Sequence, residues 1–284
     1  MNHLRVHTLD EALAELARHP RRVLCGGTDV YADPSRPVAG STWLDIGRVA
    51  SLKPIALTDG HLRIGAAATW EAIEQSPLTP GVLREAAGQV GSRQIRVQGT
   101  LGGNLCHASP IADGVPPLLA LEAQVELASL AGVRRLRLDQ FLLGRRHTAL
   151  RPDELLSAVL IPTPAPHERG AFIKLANRDG TALATVSAAL CLRWNENGVA
   201  ARAAIAIGGA SDVPVRLRGL EARLEGARPV DLTHLIRDTP MPELSPIDDH
   251  RGSAALRRHL VRVAIERAAA HCGIEMEVNH VASK

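Results

Sequence analysis

The chain has 284 residues, of which 45% are hydrophobic and 22% charged, and its formal net charge is +3. This length and composition are typical of a globular protein with one large domain or two smaller ones and a substantial core. Scattered arginine pairs and an aromatic content of 2% argue against nucleic-acid binding, which needs a concentrated basic stripe or stacking surfaces.

Short helices and strands alternate over the first half of the chain. Thr8 and Glu11 have the spacing of a capping box, which predicts a helix through Leu16 with apolar residues on one face. Further helices are predicted after Thr69 and over residues 81–90. Apolar and alternating runs predict strands at 23–25, 43–46, 61–65, 125–127, 133–138 and 155–161.

The pattern changes in the second half. Proline-rich residues 162–169 predict a linker. Beyond it, residues 171–175, 185–193 and 200–207 predict three strands in an antiparallel meander, and helices are predicted at 216–225 and 253–270. Strands followed by helices are typical of an α+β domain.

A pair of glycines follows the strand predicted at residues 23–25. In the run Cys25-Gly26-Gly27-Thr28-Asp29, the glycines allow positive φ angles and leave the backbone amides accessible. Successive amides in such a turn attract an oxyanion. A tight turn without a ligand is the other interpretation of this pattern.

A second pair of glycines lies in Gly-Thr-Leu-Gly-Gly-Asn at residues 99–104. Thr100 and Asn104 could bond phosphate oxygens or fix the turn. Ser109 and Asp113 follow, and Asp113 could also cap the next helix. The sequence has neither a Walker A motif nor a GxGxxG fingerprint. Two glycine pairs therefore indicate a long diphosphate held from two sides, with a plain glycine-rich connector as the alternative.

Four segments, in order and spacing, carry a family resemblance: VLCGGTDV, GTLGGNLCHASPIADGVPPLLAL, FIKLANR and DDHRGSAALRRHL. They resemble the FAD-binding medium subunits of the xanthine dehydrogenase and carbon monoxide dehydrogenase family of molybdenum hydroxylases. The resemblance covers nearly the whole chain. It implies an α+β fold with a two-part FAD-binding domain of the p-cresol methylhydroxylase type at 1–165, with subdomains at about 1–55 and 56–165. A smaller C-terminal domain of antiparallel strands and helices, similar to that of the CO dehydrogenase flavoprotein, is implied at 170–284.

The resemblance also implies which residues contact FAD. Residues 25–29 and 100–104 would bind the pyrophosphate through backbone amides, and Asp113 would bond a polar part of the cofactor. Ile111 would lie near the flavin ring, and Lys174 would reach FAD from the C-terminal domain, a plain surface lysine being the alternative. No catalytic residue and no metal ligand is implied. The implied cofactor-binding residues are Leu24, Cys25, Gly26, Gly27, Thr28, Asp29, Val30, Thr100, Leu101, Gly102, Gly103, Asn104, Ser109, Ile111, Asp113 and Lys174.

Members of this family work in complexes. The organic substrate is hydroxylated at a molybdenum-cofactor centre in a large subunit, and electrons pass through two 2Fe-2S clusters in a small subunit to FAD and then to an external acceptor. The resemblance therefore implies the flavoprotein subunit of an oxidoreductase built as a dimer of heterotrimers, a heterohexamer. It leaves NAD, oxygen, quinone and cytochrome open as acceptors. Some relatives carry an extra cluster, but the dispersed Cys25, Cys106, Cys191 and Cys272 lack the spacing to bind one.

Targeting signals are absent from the sequence. The first 20 residues lack the apolar region of a signal peptide, and no apolar run approaches the length of a membrane span. We therefore expect a cytoplasmic protein without a membrane or nucleic-acid partner, export of the complex on a partner's signal being the alternative.

Two other functions remain open at this stage. A stand-alone flavoenzyme of the same fold type would need its own substrate site and an acid or base over the flavin, for which His107 is a candidate. The second is a binding module that has lost its flavin, and the two intact glycine pairs argue against it. Leu256 also departs from the family, which often has tyrosine at this position.

Overall fold

The computed structural model describes residues 2–32, 42–163, 168–178 and 182–272. The helices are α1 (Leu9–Arg18), α2 (Thr28–Ala32), α3 (Trp70–Gln75), α4 (Gly81–Gly88), α5 (Arg93–Arg96), α6 (Leu101–His107), α7 (Val115–Ala120), α8 (Leu138–Phe141), α9 (Arg218–Leu224), α10 (Leu232–Asp238) and α11 (Ala254–His271). The strands are β1 (Asn2–Arg5), β2 (Arg22–Leu24), β3 (Thr42–Asp45), β4 (Ile55–Thr58), β5 (His61–Gly65), β6 (Gln124–Ser129), β7 (Gly132–Arg137), β8 (Leu142–Gly144), β9 (His147–Thr148), β10 (Leu155–Pro162), β11 (Glu168–Leu175), β12 (Val186–Trp194), β13 (Ala200–Gly208) and β14 (Val215–Arg216).

Within the described residues, three sheets of three or more strands follow one another along the chain. The first is parallel and three-stranded, in the order β1-β3-β2. The second is antiparallel and five-stranded, in the order β4-β5-β10-β6-β7. The third is antiparallel and four-stranded, in the order β11-β12-β13-β14, and β8 and β9 form a separate small hairpin. The expected α+β fold is confirmed.

Local signals in the sequence place several elements correctly. In the capping box, Thr8 Oγ1 accepts from the Glu11 amide at 3.2 Å, and Glu11 Oε2 accepts from the Thr8 amide at 3.2 Å. Thr69 caps α3, and the predicted antiparallel meander is the run β11-β12-β13. The linker predicted at 162–169 falls largely on residues 164–167, which lie outside the described residues.

The third sheet is buried on both faces. Because side chains alternate along a strand, Ala188, Leu190 and Leu192 of β12 face the core formed with α9, α10 and α11. Ala189 and Cys191 face the other way and join the core of the first half of the chain, which includes α4 and α7. The third sheet thus packs directly against the first half of the molecule. Within the described residues, no helix combines the length and apolar character that a bilayer crossing requires.

Candidate functional site

A cleft of about 1100 Å³ lies between the first half of the chain and the third sheet. It is lined by residues 22–30, by residues 99–100, 103–104 and 109–113, and by residues of the second half that include Lys174. We refer to it as the central cleft. The structure brings fourteen of the sixteen expected cofactor-binding residues to this cleft; the exceptions are Leu101 and Gly102.

The first glycine pair lies against the second. A Cβ atom on Gly26 would overlap the carbonyl oxygen of Gln98, so only glycine fits here. Gly27 has φ = 72°, a left-handed conformation that glycine adopts readily. Burial is the main reason that the pKa of the Cys25 thiol is raised, and the nearby Thr100 side chain acts in the opposite direction. The two glycine segments therefore form one continuous wall of the cleft.

The amides after Cys25 are free to bind a ligand. Within the residues that the structure describes, no protein acceptor bonds the backbone N–H of Gly26, Gly27 or Thr28. Three successive unpaired amides beside a cleft can bind an oxyanion such as a phosphate.

The second glycine segment begins a helix, so the expectation of a glycine-rich loop at residues 99–104 is wrong. Thr100 is the N-cap of α6, and its hydroxyl accepts from the Gly103 amide at 3.2 Å. The Leu101 and Gly102 amides donate to the carbonyls of Ala68 and Ala66, at 3.0 and 2.8 Å. These three amides already have protein acceptors because the segment pairs with the chain before Thr69 as it enters α6.

Gly102 and Gly103 have different surroundings. A Cβ on Gly102 would lie 2.8 Å from both the Cβ and the carbonyl oxygen of Ala66, on the side away from the cleft. A Cβ on Gly103 would meet only Thr100 Oγ1, at 3.0 Å, and Gly103 lines the cleft. Gly102 therefore allows close packing, whereas Gly103 keeps space open in the cleft.

Asp113 is part of an ion pair and does not cap a helix. The N-cap of α7 is Gly114, which makes no side-chain cap. Lys174 Nζ lies 2.6 Å from Asp113 Oδ2 and donates to the carbonyl of Gln89 at 2.9 Å. The Lys174 and Asp113 side chains are only 8% and 9% exposed, so the surface-lysine interpretation is wrong. Burial raises the pKa of Asp113 to about 6, and the Lys174 ammonium acts in the opposite direction.

Within the part of the chain that the structure describes, two buried acceptors belonging to cleft residues have no protein partner. They are Asp113 Oδ1 and Asn104 Oδ1. A buried polar atom without a partner is unfavourable, and a ligand that donates hydrogen bonds would satisfy both. FAD carries hydroxyl and N–H donors for such acceptors and a diphosphate for the free amides. The residues present therefore fit FAD.

Three more residues that the sequence analysis considered also line the cleft. Ser109 and Ile111 line the cleft, and Ser109 Oγ accepts from the Ile111 amide at 3.4 Å. His107 lines it as well, with Nε2 3.9 Å from Asp29 Oδ1. Among the described residues, no three His, Cys, Asp or Glu side chains come together as a metal site.

Sequence reasoning missed the cleft residues of the second half other than Lys174. Leu183, Gly209, Ile247 and Arg257 line the cleft. Arg257 is buried and donates to the carbonyls of Thr185 and Gly209 at 2.8 and 2.6 Å. The signal available was the segment DDHRGSAALRRHL, which contributed to the resemblance without a role attached to it.

Family models match both halves of the chain. Residues 1–164 match the FAD binding domain in molybdopterin dehydrogenase. Residues 171–272 match the CO dehydrogenase flavoprotein C-terminal domain. The chain belongs to the FAD-binding subunits of the molybdopterin dehydrogenases. The resemblance stated from the sequence is confirmed, FAD is the cofactor, and the chain is the flavoprotein subunit of a xanthine dehydrogenase-like oxidoreductase.

Individual relatives span most of the chain. The putative xanthine dehydrogenase FAD-binding subunit of Escherichia coli K12 is 32% identical over 277 residues, covering 93% of this chain and 92% of the relative. The nicotinate dehydrogenase FAD-subunit of Eubacterium barkeri is 34% identical over 230 residues, 78% of each chain. Among solved structures, reconstituted CO dehydrogenase from Oligotropha carboxidovorans matches with a TM-score of 0.88 at 25% identity, covering 97% of this chain and 98% of that one. Quinoline 2-oxidoreductase from Pseudomonas putida 86 matches with a TM-score of 0.84 at 28% identity, covering 96% of each.

Proposed function

We propose that this flavoprotein subunit takes electrons from the two 2Fe-2S clusters of a small partner subunit and passes them to an external acceptor. The organic substrate is hydroxylated at the molybdenum cofactor of a large partner subunit. The observation that carries the proposal is the central cleft, which is lined by three residues with free amides and by two residues with buried acceptors that lack partners among the described residues. Relatives named as a FAD-subunit and as a medium chain support a role within a complex.

Each group of cleft residues has a task in holding FAD. The amides of residues 25–29 bind the diphosphate, flanked by Leu24 and Val30. Thr100, Gly103 and Asn104 continue the same wall of the cleft. Leu101 and Gly102 lie outside the cleft and hold this segment to Ala68 and Ala66. Asp113 and Asn104 accept hydrogen bonds from the cofactor, and Lys174 holds Asp113 in place. Ile111 would lie near the flavin ring, and Ser109, which also lines the cleft, would contact the cofactor. Bound FAD supplies the redox chemistry, since it takes up and releases electrons.

We further propose the domain division predicted from the sequence, 1–165 with subdomains at about 1–55 and 56–165, and 170–284. Its support is that the first sheet lies within residues 2–45, the second within 55–162 and the third within 168–216. The assembly is a dimer of heterotrimers in the cytoplasm.

Expression of the chain alone and together with the two partner subunits tests the proposal. The lone chain should be yellow, release FAD on acid treatment, and fail to oxidise purines, N-heterocycles or aldehydes with a dye acceptor. The complex should contain molybdenum and iron and should reduce the bound flavin with substrate. If the lone chain turned over such a substrate at the full rate, a stand-alone flavoenzyme would replace this proposal. A colourless chain that took up no added FAD would instead indicate a module that has lost its flavin.

A further inference from the structure

The helix α7 connects the central cleft to the third sheet. It begins two residues after Asp113, and all six of its residues are buried. At 1.5 Å per residue the helix is only about 9 Å long, so a shift at one end moves the other end too. Lys174 of β11 fixes Asp113 at the cleft end of this helix.

Two arginines of the same sheet hold the other end of α7. Arg216 Nη1 donates to the carbonyl of Leu119 at 3.0 Å, and Arg202 Nη2 donates to the carbonyl of Ala120 at 3.5 Å. Both guanidinium groups also pair with Glu122, at 3.5 and 3.2 Å. The last carbonyls of a helix lack intrahelical partners and carry partial negative charge, so cations are favourable there.

Arg216 is itself held rigidly. Its side chain is 7% exposed and forms a two-point ion pair with Glu221, Nε to Oε1 at 2.5 Å and Nη2 to Oε2 at 2.8 Å. Glu221 Oε1 also accepts from the Ile205 amide of β13 at 2.8 Å. A bidentate arginine–carboxylate pair fixes orientation as well as distance. The third sheet therefore holds α7 from both ends.

We propose that Arg202 and Arg216 are positioning residues for FAD. Neither lines the central cleft, and they act by fixing α7 so that Asp113 stays where the cofactor needs its acceptor. This inference rests on the proposed role of Asp113 in FAD binding.

The test compares three arginines of the whole purified chain. Arg216→Gln and Arg202→Gln should weaken FAD binding by roughly 3- to 30-fold, the range seen for residues that act on a site from a distance. Arg218→Gln is the matched control, because Arg218 pairs with the same Glu221 at 3.5 Å but is 50% exposed and, within the described residues, makes no hydrogen bond or ion pair to α7. Its FAD affinity should remain unchanged. Titration of each apoprotein with FAD measures the FAD affinity of the three variants.

The same variants made in an Asp113→Asn background separate an effect that acts through Asp113 from a general perturbation of the structure. If the arginines act through Asp113, their effect on FAD affinity should largely disappear in that background, because coupled residues are non-additive. An equal effect in both backgrounds, or no effect of either variant in the native one, would overturn the positioning role. If Asp113→Asn alone left FAD affinity unchanged, the proposed FAD site would fail instead. Should Arg216→Gln not fold, Arg202→Gln, at a side chain that is 22% exposed, provides the same comparison.

Discussion

Lys174 Nζ lies 2.6 Å from Asp113 Oδ2, and this contact joins the central cleft to the third sheet. Asp113 keeps its second oxygen, Oδ1, without a protein partner. One carboxyl group thus has one oxygen paired with a lysine and one oxygen without a protein partner.

The affinity for FAD should depend on pH through Asp113. Its pKa is raised to about 6, so the carboxylate accepts hydrogen bonds above that pH and becomes protonated below it. FAD affinity should therefore fall as the pH is lowered from about 8 to about 5, by at most about tenfold per pH unit. Asp113→Asn should bind FAD about 1–3 kcal/mol more weakly at pH 8 and show a flat profile. Parallel profiles of native protein and variant, from titrations of the apoprotein, would exclude Asp113 as the titrating group.

Replacement of Lys174 alone should destabilise the protein more than replacement of both Lys174 and Asp113. Lys174→Met leaves a buried carboxylate without its cation, which costs about 3–5 kcal/mol of unfolding free energy. Because the lysine lowers the pKa of Asp113, its loss lets that pKa rise, and the carboxyl group is neutral at low pH. The destabilisation should thus be smaller at about pH 5 than at about pH 8. Denaturant unfolding of the apoprotein measures the free energy of unfolding at each pH. Lys53→Met, at an exposed lysine, is the control. The double variant Asp113→Asn/Lys174→Met should recover stability.

Adjacent glycines of α6 should respond differently to alanine. Gly102→Ala places a methyl group against Ala66, and we expect a loss of about 1–3 kcal/mol of stability from overpacking. Gly103→Ala should leave the unfolding free energy within about 1 kcal/mol of the native value. Its methyl group lies in the central cleft and should weaken FAD binding by about 1–3 kcal/mol. Melting temperature and FAD titration on both variants test the contrast, and equal FAD affinities would show that Gly103 does not face the cofactor.

Arg257 should be needed for the fold of the second half. Replacement by glutamine breaks its bonds to Thr185, Gly209 and Asp249 and should lower stability by about 3–5 kcal/mol. Arg258→Gln, at the exposed neighbouring position, should have an effect within about 0.5 kcal/mol. Similar unfolding curves for the two variants would contradict this assignment.

Local physical signals in the sequence were sufficient for much of the fold. The Thr8–Glu11 box and the Thr69 cap depend on residues within one helical turn, and both were predicted. Strand β1 was not predicted, because Asn2–Arg5 has no alternating pattern and forms only by parallel pairing with β3. Helix α6 was not predicted either. The two glycines disfavour a helix locally, and contacts with Ala66 and Ala68 outweigh that preference.

The candidate site likewise combines residues indicated by local sequence with contacts that depend on tertiary packing. The glycine pairs are contiguous in sequence and indicate a diphosphate site by themselves, whereas roles for Ile111, Asp113 and Lys174 in FAD binding came from the family resemblance. The ion pair between Asp113 and Lys174 could not be predicted from the sequence. The two residues lie 61 positions apart and meet only because α7 packs on the third sheet. Arg202 and Arg216 gave no signal, because arginines that bond helix carbonyls resemble surface arginines in sequence.

The sheet that is buried on both faces makes fragment reassembly possible. Fragments 1–163 and 168–284, made as separate chains, would each expose apolar residues, such as Phe172 and Ala189 on one side and those of α7 on the other. Each should therefore be poorly soluble alone. Co-expressed, the fragments should associate without a covalent link, because hydrophobic burial and the Lys174–Asp113 pair both act across the break. Flavin colour would then report that the two fragments have reassembled into one cofactor-binding unit.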